Sequence, residues 1–150
     1  MRRMRRASGF TLLEVLAVLA IVAVSTAVVS LALGNVSSDA LAREGERLAA
    51  LLEAARARSR TAGVPVSWRA VGAGFVFDGV PPGGAPLPQH WLDARVRALG
   101  NETLLLGPDP IIAAQAVVLE LAADAGALRR IRIATDGLHP FAAQGVEVAP

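Results

Sequence analysis

Nineteen consecutive residues, Val15 to Leu33, carry no charge, and only Ser25, Thr26 and Ser30 interrupt their apolar character. A helix of that length rises roughly 28 Å, close to the hydrocarbon thickness of a bilayer. The helix is expected to loosen at Gly34-Asn35, where Ser37, Ser38 or Asp39 would cap a continuation. The continuation is amphipathic. Leu41, Leu48, Leu52 and Ala55 recur at helical spacing with Leu51 beside them, while Arg43, Glu44, Glu46, Arg47, Glu53, Arg56 and Arg60 take the remaining face. Gly63 and Pro65 end the pattern, so an amphipathic helix is predicted over 39–62. Two heptads are too few for a coiled-coil seam, and the leucine stripe therefore calls for a sheet to cover it.

From Val64 the periodicity shortens to strand-like runs separated by glycine and proline, which predicts a β-rich region over 64–150 folded as an antiparallel sheet or sandwich. Val64–Val71 and Gly74–Asp78 read as a hairpin around Gly72. Residues 79–90 hold four prolines and three glycines and read as an exposed loop. Trp91–Leu99 fits a short helix or a strand, and Thr103–Leu106 a short strand. Ala116–Ala122 and Ala127–Ala134 flank a turn at Asp124-Ala125-Gly126. The fold class is thus α+β, a long N-terminal helix packed on a C-terminal antiparallel sheet or sandwich.

Composition sharpens this picture at the N-terminus. The net charge is +2 and the isoelectric point near 10.9, yet Arg2, Arg3, Arg5 and Arg6 precede the apolar run. From Phe10 onward eleven arginines face thirteen acids, a net charge of −2. The basicity is a leader, not a nucleic-acid-binding stripe, so nucleic acid is not expected as a partner. Four cations ahead of the span orient the N-terminus to the cytoplasm and the rest of the chain outward. An ordinary signal peptide fits poorly. The apolar run exceeds the usual length of such a segment, and Glu14 sits at its very start. With no cysteine there is neither a disulfide framework nor a thiolate site.

The residues Gly9-Phe10-Thr11-Leu12-Leu13-Glu14, between an arginine-rich leader and the apolar helix, resemble the processing site of type IV prepilins and pseudopilins. The resemblance implies a prepilin leader at 1–9, cleavage by prepilin peptidase between Gly9 and Phe10, N-methylation of Phe10, and a membrane and filament-core helix over 10–38. It also implies a periplasmic domain over 39–150. Glycine before the scissile bond gives an unobstructed backbone at the membrane surface. An acid within a membrane helix is costly and functional by default. The resemblance gives Glu14 the role of an assembly residue, pairing with the new α-amino group of a neighbouring subunit.

The order of long helix, Leu48–Arg56 stretch, Gly63-Val64-Pro65-Val66 and the closing Asp136-Gly137-Leu138-His139-Pro140-Phe141 is similar to the protein H minor pseudopilins of type II secretion systems. Related minor pilins of type IV pili share the pattern. The implied location is the bacterial inner membrane, single-pass, with assembly into a periplasmic pseudopilus. The implied partners are other major and minor pseudopilins, the prepilin peptidase and the inner-membrane secretion platform. A type IV pilus role in assembly, adhesion or DNA uptake is the alternative, and convergence of Arg69, Arg95, Arg97, Arg129, Arg130 and Arg132 into one patch would favour it.

No catalytic residue, metal ligand or cofactor site is expected. His90 and His139 lie in separate turns without paired spacing, Asp136 and His139 have no serine at a nucleophile elbow, and Asp109 and Asp124 lack a run of oxygen ligands. Trp68, Trp91, Phe75 and Phe77 read as core. Mass spectrometry of the extracted protein should find a chain beginning at methylated Phe10, and Gly9→Val should trap the precursor, because a β-branched side chain restricts the backbone at the cut. An intact Met1 in cells with active prepilin peptidase would contradict the assignment.

Overall fold

Helix α1 runs without a break from Leu12 to Ala62 in the computed structural model, which describes residues 11–122 and 127–149 apart from the side chains of 29–35 and 149. Gly34 and Asn35 do not loosen it, contrary to expectation. One interior glycine costs about 1 kcal/mol, too little to stop a helix propagating from both sides. The chain divides into two compact units, residues 1–35 and 36–150.

In the second unit the buried side of α1 follows the spacing 37, 41, 44, 48, 52, 55, 59. Leu41, Leu48, Leu52 and Ala55 are fully buried, as their periodicity demands. Glu44 and Arg56, assigned by sequence to the polar face, are buried as well. Each is held by a loop that packs on the helix. The Glu44 carboxylate accepts from Arg47 at 2.7 Å and from the Leu92 N–H at 2.8 Å. Arg56 Nη2 donates to the carbonyls of Pro110 and Gly137, both at 3.0 Å, and Glu53 accepts from the Phe141 N–H at 3.0 Å.

Seven strands follow: β1 Ser67–Val71, β2 Gly74–Asp78, β3 Val96–Leu99, β4 Thr103–Leu105, β5 Gln115–Ala122, β6 Leu128–Thr135 and β7 Ala142–Ala149. They form two antiparallel sheets, ordered β2-β1-β4 and β3-β5-β6-β7. This is the α+β arrangement expected, a helix packed on antiparallel sheets. Trp91–Leu99 resolves into irregular chain leading to β3. Strand β7 went unrecognised in the sequence, since its small residues show little alternation. The turn at 124–126 lies outside the described residues.

The core joins α1 to the inner faces of both sheets. Leu41, Leu48 and Leu52 share one buried cluster with Trp68, Phe75 and Leu104 of the first sheet and Leu119, Ile131 and Ile133 of the second. Trp91 closes on Phe75 with ring centroids 4.5 Å apart. Gly45 lets the helix approach β6, because a Cβ there would stand 2.8 Å from Ile131 Cδ1. The 79–90 loop is pinned at intervals, by Arg58 donating to the Ala85 carbonyl and by a bridge between His90 and Gly74.

Gly137 has φ +92, and a Cβ on it would lie 1.9 Å from the Ile112 carbonyl oxygen. Its own carbonyl accepts from Arg56, so one turn joins two loops to the helix. Arg56→Ala should lower stability by about 3 kcal/mol, because the buried Gly137 carbonyl and the partly buried Pro110 carbonyl lose their donor. Arg56→Lys, lacking the planar fork, should recover only part of it. Urea unfolding of the full chain in detergent reads both, and a loss below about 1 kcal/mol for alanine would contradict the role given to this clip.

Candidate functional site

The start of α1 is where the sequence concentrates its chemistry. Thr11 stands at the N-cap: its carbonyl accepts from the N–H groups of Glu14 at 3.0 Å and Val15 at 3.3 Å, and its Oγ1 accepts from the Glu14 N–H at 3.3 Å. Thr11-Leu12-Leu13-Glu14 therefore has the spacing of a capping box, a signal present in the sequence but overlooked there. The Glu14 carboxylate is exposed and lies in the first turn, where the helix dipole favours an anion. Gly9 and Phe10 lie outside the described residues.

Behind Glu14 the helix shows apolar side chains around its whole circumference. Leu12, Leu13, Leu16, Leu19, Ile21 and Val24 are between 59% and 79% exposed. Val15, Val18 and Val22, 41–56% exposed, fill the angles these leave open, so no single stripe is available to meet one sheet. Among the described residues no helix is long and apolar enough to cross a membrane. Described side chains reach Val28 in this stretch, five residues short of the end of the apolar run at Leu33.

Elsewhere the residues with chemical potential are occupied. The Asp136 carboxylate accepts from the N–H groups of Leu138 at 2.9 Å and His139 at 2.8 Å, and its Oδ2 lies 2.7 Å from His139 Nδ1. The backbone N–H of His139 leads in holding this carboxyl well below the usual range, followed by the His139 side chain. Asp136 and His139 line an open cleft of about 990 Å³ together with Thr103, Ala116, Ala134 and Ala142. His90 lies in the bridge to β2. Asp109 lies in the turn before Ile112, and Asp124 is outside the described residues. No cluster of metal-ligating side chains occurs among the described residues.

Residues 4–30 match the family model of the prokaryotic N-terminal methylation motif. The chain carries the N-terminal motif of type IV pilin-like proteins. No curated protein and no solved structure gives a significant match. The matched segment contains Gly9, Phe10 and Glu14, together with the capped helix start and the exposed apolar surface as far as Val28.

The six arginines that would have made one basic patch on this chain are dispersed. Arg69 pairs with Asp78 at 2.8 Å on the first sheet, and Arg95 pairs with Asp93 at 2.7 Å in the turn before β3. Arg129 reaches Ser38 on the helix, and Arg132 donates to Gln144. Arg97 and Arg130 do converge, but on the buried carboxylate of Glu120, which stands directly between them in the β3-β5-β6 register. Four of the six arginines are thus in ion pairs, and Arg129 and Arg132 meet uncharged polar side chains.

The Arg97 guanidinium, seconded by Arg130, holds the Glu120 carboxyl below its ordinary value of 4.5. A depressed folded-state value means that the stabilisation is present above the unfolded value and is lost as pH falls through the folded one. Glu120→Gln should therefore cost stability at neutral pH, and its deficit against the parent chain should shrink as the pH is taken below 4.5. Urea midpoints measured across that range check it. A deficit unchanged by acid would contradict the ion-pair account.

Proposed function

We infer that the chain is a structural subunit that works by assembly: a minor pseudopilin of a type II protein secretion system, incorporated at or near the tip of a periplasmic pseudopilus that drives folded proteins across the outer membrane. The observation that carries this reading is the coincidence of the methylation motif with one acid at the start of a helix whose apolar side chains are exposed on all sides. Such a surface leaves water only in lipid or among other apolar helices. Removal of residues 1–9 would take away the four arginines that hold the N-terminus at the cytoplasmic surface, so processing would make the helix extractable into a filament. The new amine of Phe10 would then be the cation that Glu14 of a neighbour needs, and in an apolar surrounding that pair sets the axial register between subunits.

The choice of the secretion machine over a type IV pilus is supported by the resemblance along the chain and by the arginines. DNA uptake would draw on a surface of unpaired cations, whereas Arg69, Arg95, Arg97 and Arg130 are each matched with a carboxylate. A structural role, not an enzymatic one, is supported by the state of Asp136, whose carboxylate is taken up by its own turn.

The capping-box spacing would give the Glu14 side chain a local duty beside the intermolecular one, and two substitutions separate them. Glutamine serves at the third helical position of a capping box as glutamate does, but carries no charge. Glu14→Gln should therefore leave helix start, membrane residence and processing intact while reducing cross-linking to other pseudopilins and secretion about tenfold, as expected for loss of one desolvated ion pair. Glu14→Ala should add a small loss from the cap of about 0.5 kcal/mol. If Glu14→Gln assembles and secretes at parent levels, charge pairing is not how this subunit finds its register.

A further inference from the structure

The outer strand of a sheet presents N–H and C=O groups with no ladder, and each bare edge invites another chain. The sheets of residues 36–150 have four such edges, at β2 and β4 in one and at β3 and β7 in the other. Three are blocked or short. Residues 89 and 90 cover β2, with His90 bridged to Gly74 and the Phe75 N–H donating to the Gln89 carbonyl at 3.0 Å. Strand β4 is capped by one side chain: the Leu105 N–H donates to Gln115 Oε1 at 2.8 Å, and Gln115 Nε2 donates back to the Leu105 carbonyl at 2.7 Å. Strand β3 is only four residues long.

Strand β7 has eight residues, no proline and no cation, and no described residue pairs with its outer side. Its one register shift leaves Ala142–Gln144 and Glu147–Ala149 in regular ladder with β6. We propose that this edge receives an extended segment of another pilin-like subunit, added as a further strand of the second sheet. The inference rests on the assembly reading above and names the surface on residues 36–150 that completes it.

The chemistry of the edge specifies its occupant. On the core side Ala143, Val146 and Val148 line it, with Val148 63% exposed, so the incoming strand presents apolar residues at alternate positions. On the outer side Glu147 is the only charge of β7, so the occupant carries a cation beside it. Strand β6 fills that role on the other side of β7, with Ile131 and Ile133 on one face and Arg130, opposite Glu147, on the other. A second copy offering its own β7 would bring no cation to Glu147, and is disfavoured for that reason.

A photo-reactive side chain placed in the full chain, in assembling cells, tests the proposal at three positions: Val148 on the free edge, Leu105 as an exposed control on the capped edge, and Leu16 on the helix. Val148 should give adducts whose partner, identified by mass spectrometry, is a different chain bearing an N-terminal methylation motif, and Leu105 should not. Glu147→Arg should cut the Val148 adduct about fivefold, the order expected on reversing one cross-strand charge pair, and Glu147→Gln less. Adducts from Leu16 without adducts from Val148 overturn strand addition and leave the assembly reading standing. Silence at both positions overturns both. A Val148 adduct with a second copy of this chain, or indifference to Glu147→Arg, overturns the occupant proposed.

Discussion

The apolar side chains of helix α1 have to leave water, and its two halves meet that requirement with different partners. Leu41, Leu48, Leu52 and Ala55 are fully buried against the protein's own sheets. At about 2 kcal/mol for each leucine, their burial is a large share of what holds a domain of this size together. Leu12 to Val28 belong to the same unbroken helix, but the described residues leave them exposed. In the proposed reading the first half finds its partners outside the chain, in keeping with the methylation motif at its start. Assembly follows from a physical deficit that the fold leaves open.

The second unit carries its own core. Its loops are tied to the helix by charged side chains whose partners are backbone groups: Arg56 to Pro110 and Gly137, Glu53 to Phe141, Glu44 to Leu92, and Arg58 to Ala85. Each bond satisfies a carbonyl or N–H that an irregular loop cannot satisfy by laddering. The same economy closes the edge of β4, where Gln115 stands in for a strand. Against that background β7 is the longest sheet edge with which no described residue pairs.

Much of this was legible in the sequence. The leucine stripe, the hairpin of β1 and β2, the pairing of β5 with β6 and the core aromatics all follow from periodicity, because burial repeats where side chains repeat. Glu44 and Arg56 were not legible, since their burial depends on loops some fifty residues away in sequence that supply the bonding partners. The fate of the arginines depended on register, which set Glu120 between Arg97 and Arg130. Strand β7 lacked a pattern because alanine and glycine occupy half of it. At the candidate site the spacing of Thr11 and Glu14 could have been read as a capping box, and the structure shows that cap being made. Gly9 and Phe10, the proposed cleavage pair, rest on the motif in the sequence.

The central claim is that the apolar first half of α1 is withdrawn from water by lipid or by other subunits while the sheet-bearing half stands in the aqueous space outside the inner membrane. The chain has no cysteine, so single cysteines at Val18 and at Leu138 report the two halves without background. A membrane-impermeant maleimide applied to spheroplasts should label Leu138→Cys at once and Val18→Cys only after detergent is added. Equal labelling of the two before detergent, or protection of Leu138→Cys, would contradict the account.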